Sequence, residues 1–224
     1  MTNKEFAKIL KDIATKYKTL YVLGCFGAPM TKANKTRYCN NLAFNKQRQN
    51  MINAATPDTF GFDCVCLIKG ILWGWNGDPT DVYGGAIYAS KGVPDIDADA
   101  MITKCSNLST DFNKIEVGEA VWCKGHIGVY IGDGLAVECT PLWKNGVQIT
   151  SCNCTKAGYN RRNWTKHGKL PYITYIEEKE DSLKTDLAVL VKNGVINSPA
   201  YWEANAPKMK YLPELIHNMA EKLK

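Results

Sequence analysis

A cysteine, a histidine and a glutamate stand in contexts that suit thiol catalysis. Cys64 follows Asp63 in the run DCVCLIKGILWGW, whose apolar residues do not strictly alternate and predict a buried helix of about three turns. At a helix N-terminus, free backbone N–H groups and the helix dipole lower the pKa of a thiol and stabilise an oxyanion. Cys64 is therefore the candidate nucleophile, with a lowered pKa expected.

His126 and Glu138 offer the two further groups that a cysteine nucleophile needs, a base and a residue that orients the base. His126 opens the strand-like run HIGVYIG, and a turn at Asp133 and Gly134 returns the chain. Glu138 then lies on the neighbouring strand, where side chains of cross-strand neighbours can meet. The spacing predicts that the Glu138 carboxylate accepts the imidazole N–H of His126.

Cys66 is expected to have a different role from Cys64. At about 100° per residue, it points some 200° away from Cys64, so the two cannot face one cleft. It is predicted to be a small buried side chain.

The remaining cysteines and histidines give no metal signature. Nine scattered cysteines with no secretion signal predict reduced thiols rather than disulfides. The pairs Cys64/Cys66 and Cys152/Cys154 are too closely spaced for a zinc finger, so neither a metal nor a cofactor is expected. His167 and His217 are predicted to be surface residues, and the run RRNWTKHGK at 161–169 a solvated edge.

Composition describes an ordinary globular protein. The 224 residues are 45% hydrophobic and 22% charged, which excludes collagen-like, disordered and coiled-coil chains. The net charge of +6 favours an anionic partner but does not choose between nucleic acid, a polyanionic envelope and a membrane surface. No apolar run is long enough to span a bilayer, and the charged amphipathic start does not look like a signal peptide. Synthesis in the cytosol without membrane insertion is therefore expected.

The order of elements predicts an α+β fold. An N-terminal helix begins with a capping box at Thr2 and Glu5, and TLYVLGCFGAP reads as a short extended piece. Residues 31–50 are predicted to be a polar loop with at most a short helix near its end, and residues 82–103 one or two short helices. The runs AVWC, HIGVYIG, LAVEC and GVQITSC then predict an antiparallel meander.

The C-terminal part differs in character. A charged link at 177–181 precedes three segments with helical periodicity, and Ser198 and Pro199 suit a cap and first helical residue. We predict two domains, 1–176 and a small three-helix module over 181–224. The module would bind cell wall, mediate oligomerisation or brace the first domain.

Three blocks of the sequence resemble those of NlpC-type cell-wall peptidases, papain-like enzymes that cut peptide bonds in peptidoglycan stem peptides. The blocks are Tyr21-Val22-Leu23-Gly24, Phe62-Asp63-Cys64-Val65-Cys66, and Gly118-Glu119-Ala120-Val121 followed by His126 to Gly132. The resemblance implies a papain-like domain with Cys64 as nucleophile, His126 as base and Glu138 as the third polar residue. It also implies Tyr21 in the substrate cleft near the oxyanion. Asp63 would cap its helix or bind the amine of the substrate.

The chain departs from this family pattern in three places. Val65 and Cys66 replace a Ser-Gly pair after the nucleophile, and Glu138 stands where the family more often has histidine. The segment between Gly24 and Asp63 is much longer than the usual turn and is predicted to form an extra rim of the cleft. Its basic residues either contact an acidic substrate or are simply solvated; they are Lys32, Lys35, Arg37, Lys46 and Arg48.

The resemblance implies a bacteriophage endolysin that hydrolyses the D-γ-glutamyl–diamino acid bond. Alternatives are an N-acetylmuramoyl-L-alanine amidase, a transglutaminase-like acyltransferase effector and a wall-binding protein without activity. The expected partner is the peptidoglycan of a Gram-positive bacterium, with no nucleic acid. The expected location is the cytoplasm of the infected host, then the cell wall after release through a holin. The bond, the host range and the oligomeric state stay open.

Overall fold

The computed structural model describes residues 1–176 and 179–223, with the side chains of residues 179–182 outside the description. The chain divides into two compact units, Met1–Tyr175 and Ile176–Lys224. In the described ranges, no helix is both long enough and apolar enough to cross a membrane.

Helix α1, Asn3–Lys16, begins as the sequence predicts. The hydroxyl of Thr2 accepts the Glu5 backbone N–H at 3.2 Å, and the Glu5 carboxylate accepts the Thr2 backbone N–H at 2.8 Å. Phe6, Leu10 and Ile13 recur at helical spacing and are buried in the main core of the first unit.

A three-stranded sheet precedes Cys64, the candidate nucleophile. Its strands are β1 (Lys18–Tyr21), β2 (Phe26–Pro29) and β3 (Thr59–Phe62), in the order β1-β3-β2. Strand β1 runs parallel to β3, and Tyr21 is paired with Phe62. The sheet therefore brings Tyr21 beside the residues that immediately precede Cys64.

The segment between β2 and β3 is helical, so the prediction of a loop over 31–50 was wrong. It contains α2 (Lys32–Asn41), α3 (Ala43–Gln47) and α4 (Gln49–Ala54). The apolar period that would have revealed these helices is missing because two of their buried positions are asparagines. Asn34 and Asn45 use their amides to bind backbone carbonyls of neighbouring segments.

Helix α5, Cys64–Leu72, is buried along its whole length. Asp63 is its N-cap and accepts the Cys66 backbone N–H at 2.7 Å. In residues 82–103, one described helix, α6, forms and spans Ala98–Lys104.

The main sheet carries the histidine. Its seven strands are β4 (Ser106–Ser109), β5 (Ala120–Cys123), β6 (His126–Gly132), β7 (Leu135–Thr140), β8 (Gly146–Cys152), β9 (Arg161–Arg162) and β10 (Lys166–Lys169). The order is β4-β10-β5-β6-β7-β8-β9, and β5 to β8 form the predicted antiparallel meander. Ile127, Val129 and Val137 of this sheet share the main core with α5. The α+β fold class is confirmed.

The second unit contains α7 (Lys179–Lys192), α8 (Pro199–Asn205) and α9 (Leu212–Glu221). Part of the predicted link, residues 177–178, lies outside the described residues, and residues 179–181 already belong to α7. Ser198 is the N-cap of α8, with Pro199 in its first turn. The apolar core of this unit consists of Leu183, Leu187, Leu190, Ala206, Ile216 and Ala220.

Candidate active site

Cys64 is the first residue of α5 and is 8% exposed. The backbone N–H groups of Ile127, Val65 and Cys64 itself interact with its sulfur in the direction that favours the thiolate. Ile127 directly follows His126 in β6. The strand that carries the candidate base therefore passes beside the candidate nucleophile.

The predicted lowering of the Cys64 pKa is not found. Burial raises the pKa of this thiol to about 12, and the nearby Asp63 carboxylate adds to the rise. The three backbone N–H groups lower the pKa, but their effect is smaller than that of burial, because a thiolate loses its hydration when it is removed from water. Without substrate the thiol is protonated at neutral pH, so attack requires a proton acceptor.

The structure brings His126 and Glu138 together. Nε2 of His126 lies 2.7 Å from Oε2 of Glu138, whose side chain is fully buried. Glu138 is paired with Gly128 across β6 and β7, so its carboxylate reaches the imidazole diagonally. Within the described part of the chain, Nδ1 of His126 makes no hydrogen bond, which leaves this nitrogen available to a thiol proton.

Glu138 has two further partners that the sequence analysis missed. Thr150 donates its hydroxyl to Oε1 at 2.8 Å, and Arg162 donates from Nη2 to Oε2 at 2.6 Å. The side chain of Arg162 is 17% exposed, so the prediction of a solvated edge is wrong for this residue. Nothing local in the run RRNWTKHGK distinguishes Arg162 from Arg161; only the pairing of β9 with β8 does.

The charge of Glu138 is stabilised by these contacts. Burial alone would raise the pKa of the carboxyl, but hydrogen bonds from His126 and Arg162 outweigh it and hold the pKa below its usual range. Glu138 is therefore an ionised acceptor that can orient the imidazole and stabilise its protonated form.

Trp164 fixes the plane of the His126 ring. The two rings are stacked, 5.5 Å between centroids and 8° between planes. Gly128 makes room for the indole, since a Cβ at this position would lie 3.1 Å from Cη2 of Trp164 and 2.8 Å from the Val137 carbonyl oxygen. Gly128 therefore leaves room for the Trp164 indole to stack on the His126 ring.

Asp99 holds the turn that precedes His126. Its Oδ1 accepts the backbone N–H of Gly125 at 2.7 Å and the indole N–H of Trp122 at 2.9 Å. Asp99 lies in the first turn of α6, so this helix anchors the start of the strand that carries the base.

Tyr21 is a buried residue beside the helical insertion. Its ring contacts Phe44 at 5.9 Å between centroids, and the Arg48 guanidinium lies 5.5 Å from its ring centre. Burial is the main cause that raises the pKa of the Tyr21 phenol. Tyr21 therefore stays protonated, as a hydrogen-bond donor must be.

Both carboxylate oxygens of Asp63 are bound to the backbone. Oδ1 accepts the N–H of Cys66 and Oδ2 the N–H of Gly24, each at 2.7 Å. Burial raises the pKa of Asp63 despite these two bonds. The contacts give Asp63 a capping role, and its binding of a substrate amine stays a prediction.

A cavity of about 310 Å³ adjoins Asp63, and Cys66 contributes to its lining. It also contains Lys69, which is ion-paired with Asp95 and donates to the Ile96 carbonyl at 2.8 Å. Cys66 is 5% exposed, which confirms the prediction of a buried side chain. Cys64 does not line this cavity, so the two cysteines lie in different surroundings.

The other two histidines lie outside this arrangement. His167 is 2% exposed and paired with Glu119, so the prediction of a surface residue was wrong; it joins β10 to the start of β5. His217 is exposed and lies 2.8 Å from Asp186 in the second unit. With Glu221 these two form, among the described residues, the one cluster of three possible metal ligands.

No family model and no curated protein matches this chain. Two solved structures are similar at 16% identity: NlpC2 from Trichomonas vaginalis, with a TM-score of 0.39, and NlpC1 from the same organism, with a TM-score of 0.38. Each similarity covers 75% of this chain, but the chain spans less than half of those proteins, 46% and 44%.

Proposed function

We propose that this protein is a cysteine peptidase that hydrolyses an amide bond in peptidoglycan stem peptides, with Cys64, His126 and Glu138 as its catalytic residues. The observation that carries the proposal is the continuity of the site. Cys64 begins the helix α5, which packs against the strand β6 that starts with His126, and the imidazole of His126 is hydrogen-bonded to a buried carboxylate. The sequence blocks around these residues point to the substrate class.

In the proposed reaction, the Cys64 sulfur attacks the carbonyl carbon of the amide while Nδ1 of His126 takes the thiol proton. A C–S bond forms, and the C–N bond breaks as His126 returns that proton to the leaving amine. Water then attacks the acyl-enzyme, and His126 removes a proton from it. The acid product leaves, and the proton returns to the Cys64 sulfur. The ionised Glu138 stabilises the imidazolium in both halves.

The same proposal includes the bond and the setting that the sequence resemblance suggests. The bond is the one between D-γ-glutamate and the diamino acid, and the protein is an endolysin that acts on Gram-positive walls after release from the host cytoplasm.

Mass spectrometry of fragments released from purified peptidoglycan tests this function. The parent protein should release fragments with a new D-glutamyl γ-carboxyl group, and the Cys64→Ala variant should release none. Release of intact stem peptides from glycan would instead identify an amidase, and a product formed on an added amine an acyltransferase. Equal lysis of Gram-positive cells by parent and Cys64→Ala would refute an enzymatic role.

A further inference from the structure

Arg162 is ion-paired with Glu138, the carboxylate that also contacts His126. Its Nε is 3.2 Å from Oε1 and 3.1 Å from Oε2, and its Nη2 is 2.6 Å from Oε2. Oε2 is also the oxygen that contacts the imidazole. One carboxylate therefore connects the guanidinium of Arg162 to the ring of His126.

The guanidinium is itself held in place. It lies 4.7 Å from the ring centre of Trp143, and its Nη2 donates to the Thr140 hydroxyl at 3.3 Å. Pairing of Arg162 with Cys152 and a hydrogen bond from the Asn153 N–H to the Arg162 carbonyl fix the backbone of β9. A side chain restrained at both ends can position its partner, which an exposed arginine on a flexible stem does not do.

A buried acid at the third position needs such a partner. Glu138 has no exposed surface, and a carboxylate removed from water without a counter-charge takes up a proton. A protonated carboxyl would be a weaker acceptor for the imidazole N–H and could not stabilise an imidazolium. A fully buried glutamate that is to stay ionised therefore makes a nearby cation necessary.

The other groups around Glu138 do not supply that cation. Thr150 is neutral, and the neighbouring thiols of Cys123 and Cys139 are uncharged because burial raises their pKa. Among the described residues that contact this carboxylate, Arg162 is the one with a permanent positive charge.

We propose that Arg162 is a positioning residue that keeps Glu138 ionised and directed at Nε2 of His126, so that Nδ1 faces the thiol. This role rests on the proposed function. It extends the candidate machinery from three side chains to four, and the fourth comes from a two-residue strand at the sheet edge.

The test compares Arg162→Gln with Arg161→Gln, which loses the same charge one residue away. Arg161 is exposed and donates to the Asn163 side chain instead of Glu138. Hydrolysis of a stem peptide is measured from pH 4 to 9 by steady-state kinetics. Arg162→Gln should lower kcat about 10- to 100-fold, leave KM nearly unchanged and move the acidic limb of the profile to higher pH. Arg161→Gln should leave both kcat and the acidic limb unchanged. Arg162→Lys should return the acidic limb to its parental pH but recover only part of kcat.

A purely structural role predicts a different pattern. An equal loss of activity at every pH in Arg162→Gln, with the acidic limb unmoved, would overturn the proposal. So would an effect confined to KM, or the same behaviour in the Arg161→Gln control.

A second readout does not depend on substrate. In protein labelled with ¹³C at glutamate side-chain carboxyls, the Glu138 signal is titrated in the parent, Arg162→Gln and Arg161→Gln. The midpoint should be higher in Arg162→Gln alone, and an unmoved midpoint refutes the positioning role whatever the activity. If the parent cleaves no peptidoglycan but the midpoint moves, the proposed function fails and the electrostatic role of Arg162 is upheld.

Discussion

Replacement of Glu138 by glutamine is the sharpest test of the site, because it removes one charge with almost no change in shape. Glu138 is fully buried, and its partner Arg162 is only 17% exposed, so the variant leaves a guanidinium without its anion. Loss of one partner from a buried ion pair costs about 3–5 kcal/mol. The lower end applies because Arg162 can regain some water, so we expect about 3 kcal/mol less unfolding free energy, or roughly 6–12 °C in Tm.

The pH dependence gives a second signature of the same charge. The pKa of Glu138 lies below its usual range, so its contribution to stability is complete above the pKa of an unfolded glutamate, roughly 4.3. That contribution is lost as the pH falls through the lower pKa of the folded state. The stability difference between parent and Glu138→Gln should therefore be largest at pH 7 and should shrink below about pH 4. Urea unfolding of both proteins, followed by tryptophan fluorescence at pH 7 and below about pH 4, measures this difference.

Activity and a matched variant complete this test. Glu138→Gln should lower kcat roughly 100- to 10,000-fold, because an amide neither orients the imidazole as an acceptor nor stabilises its charge. Glu119→Gln changes a second buried glutamate that is paired with a histidine, His167, and should leave the activity of the folded protein unchanged. The reasoning fails if Glu138→Gln keeps parental stability and rate, or if Glu119→Gln loses catalysis to the same extent.

Three further outcomes are expected from residues around the site. Cys66→Ala should keep most activity because Cys66 lines a cavity that Cys64 does not line; total loss with an intact fold, seen by near-UV circular dichroism, would mean that the wrong sulfur was chosen. Gly128→Ala should displace the Trp164 indole and lower the peptidase rate. Thermal unfolding should show a free energy of unfolding lower by about 1–3 kcal/mol, because the new Cβ would lie 2.8 Å from the Val137 carbonyl oxygen. Asn45→Ala should lower the free energy of unfolding by about 1–3 kcal/mol and make residues 32–54 more sensitive to limited proteolysis, because the Asn45 amide binds both the N–H and the C=O of Leu23. Unchanged cleavage of residues 32–54 would contradict this.

Elements with strong local signals were predictable. The capping box of α1, the N-cap at Asp63 and the turn at Asp133 and Gly134 follow from short-range chemistry and occur as predicted. Both turn residues have positive φ, 53° and 66°, which suits a tight hairpin. The spacing of twelve residues between His126 and Glu138 could then be translated into a contact.

The insertion could not be predicted because its buried residues are polar. Asn45 is fully buried; its amide accepts the N–H of Leu23 and donates to the C=O of Leu23. These hydrogen bonds stand where a packed helix would usually have apolar contacts. The burial of His167 was missed because its partner Glu119, which lies just before β5, is 48 residues away in the sequence.

The sequence by itself determined where the candidate nucleophile, the candidate base and the candidate third residue stand, because helix caps and hairpin turns are set by neighbouring residues. The tertiary structure alone decided their electrostatics. Burial raises the pKa of Cys64 against the effect of its helix N-terminus, and hydrogen bonds from His126 and Arg162 lower that of Glu138, with Arg162 24 positions away in the sequence. Desolvation and ion pairing depend on what surrounds a group in space, and no local pattern contains that information.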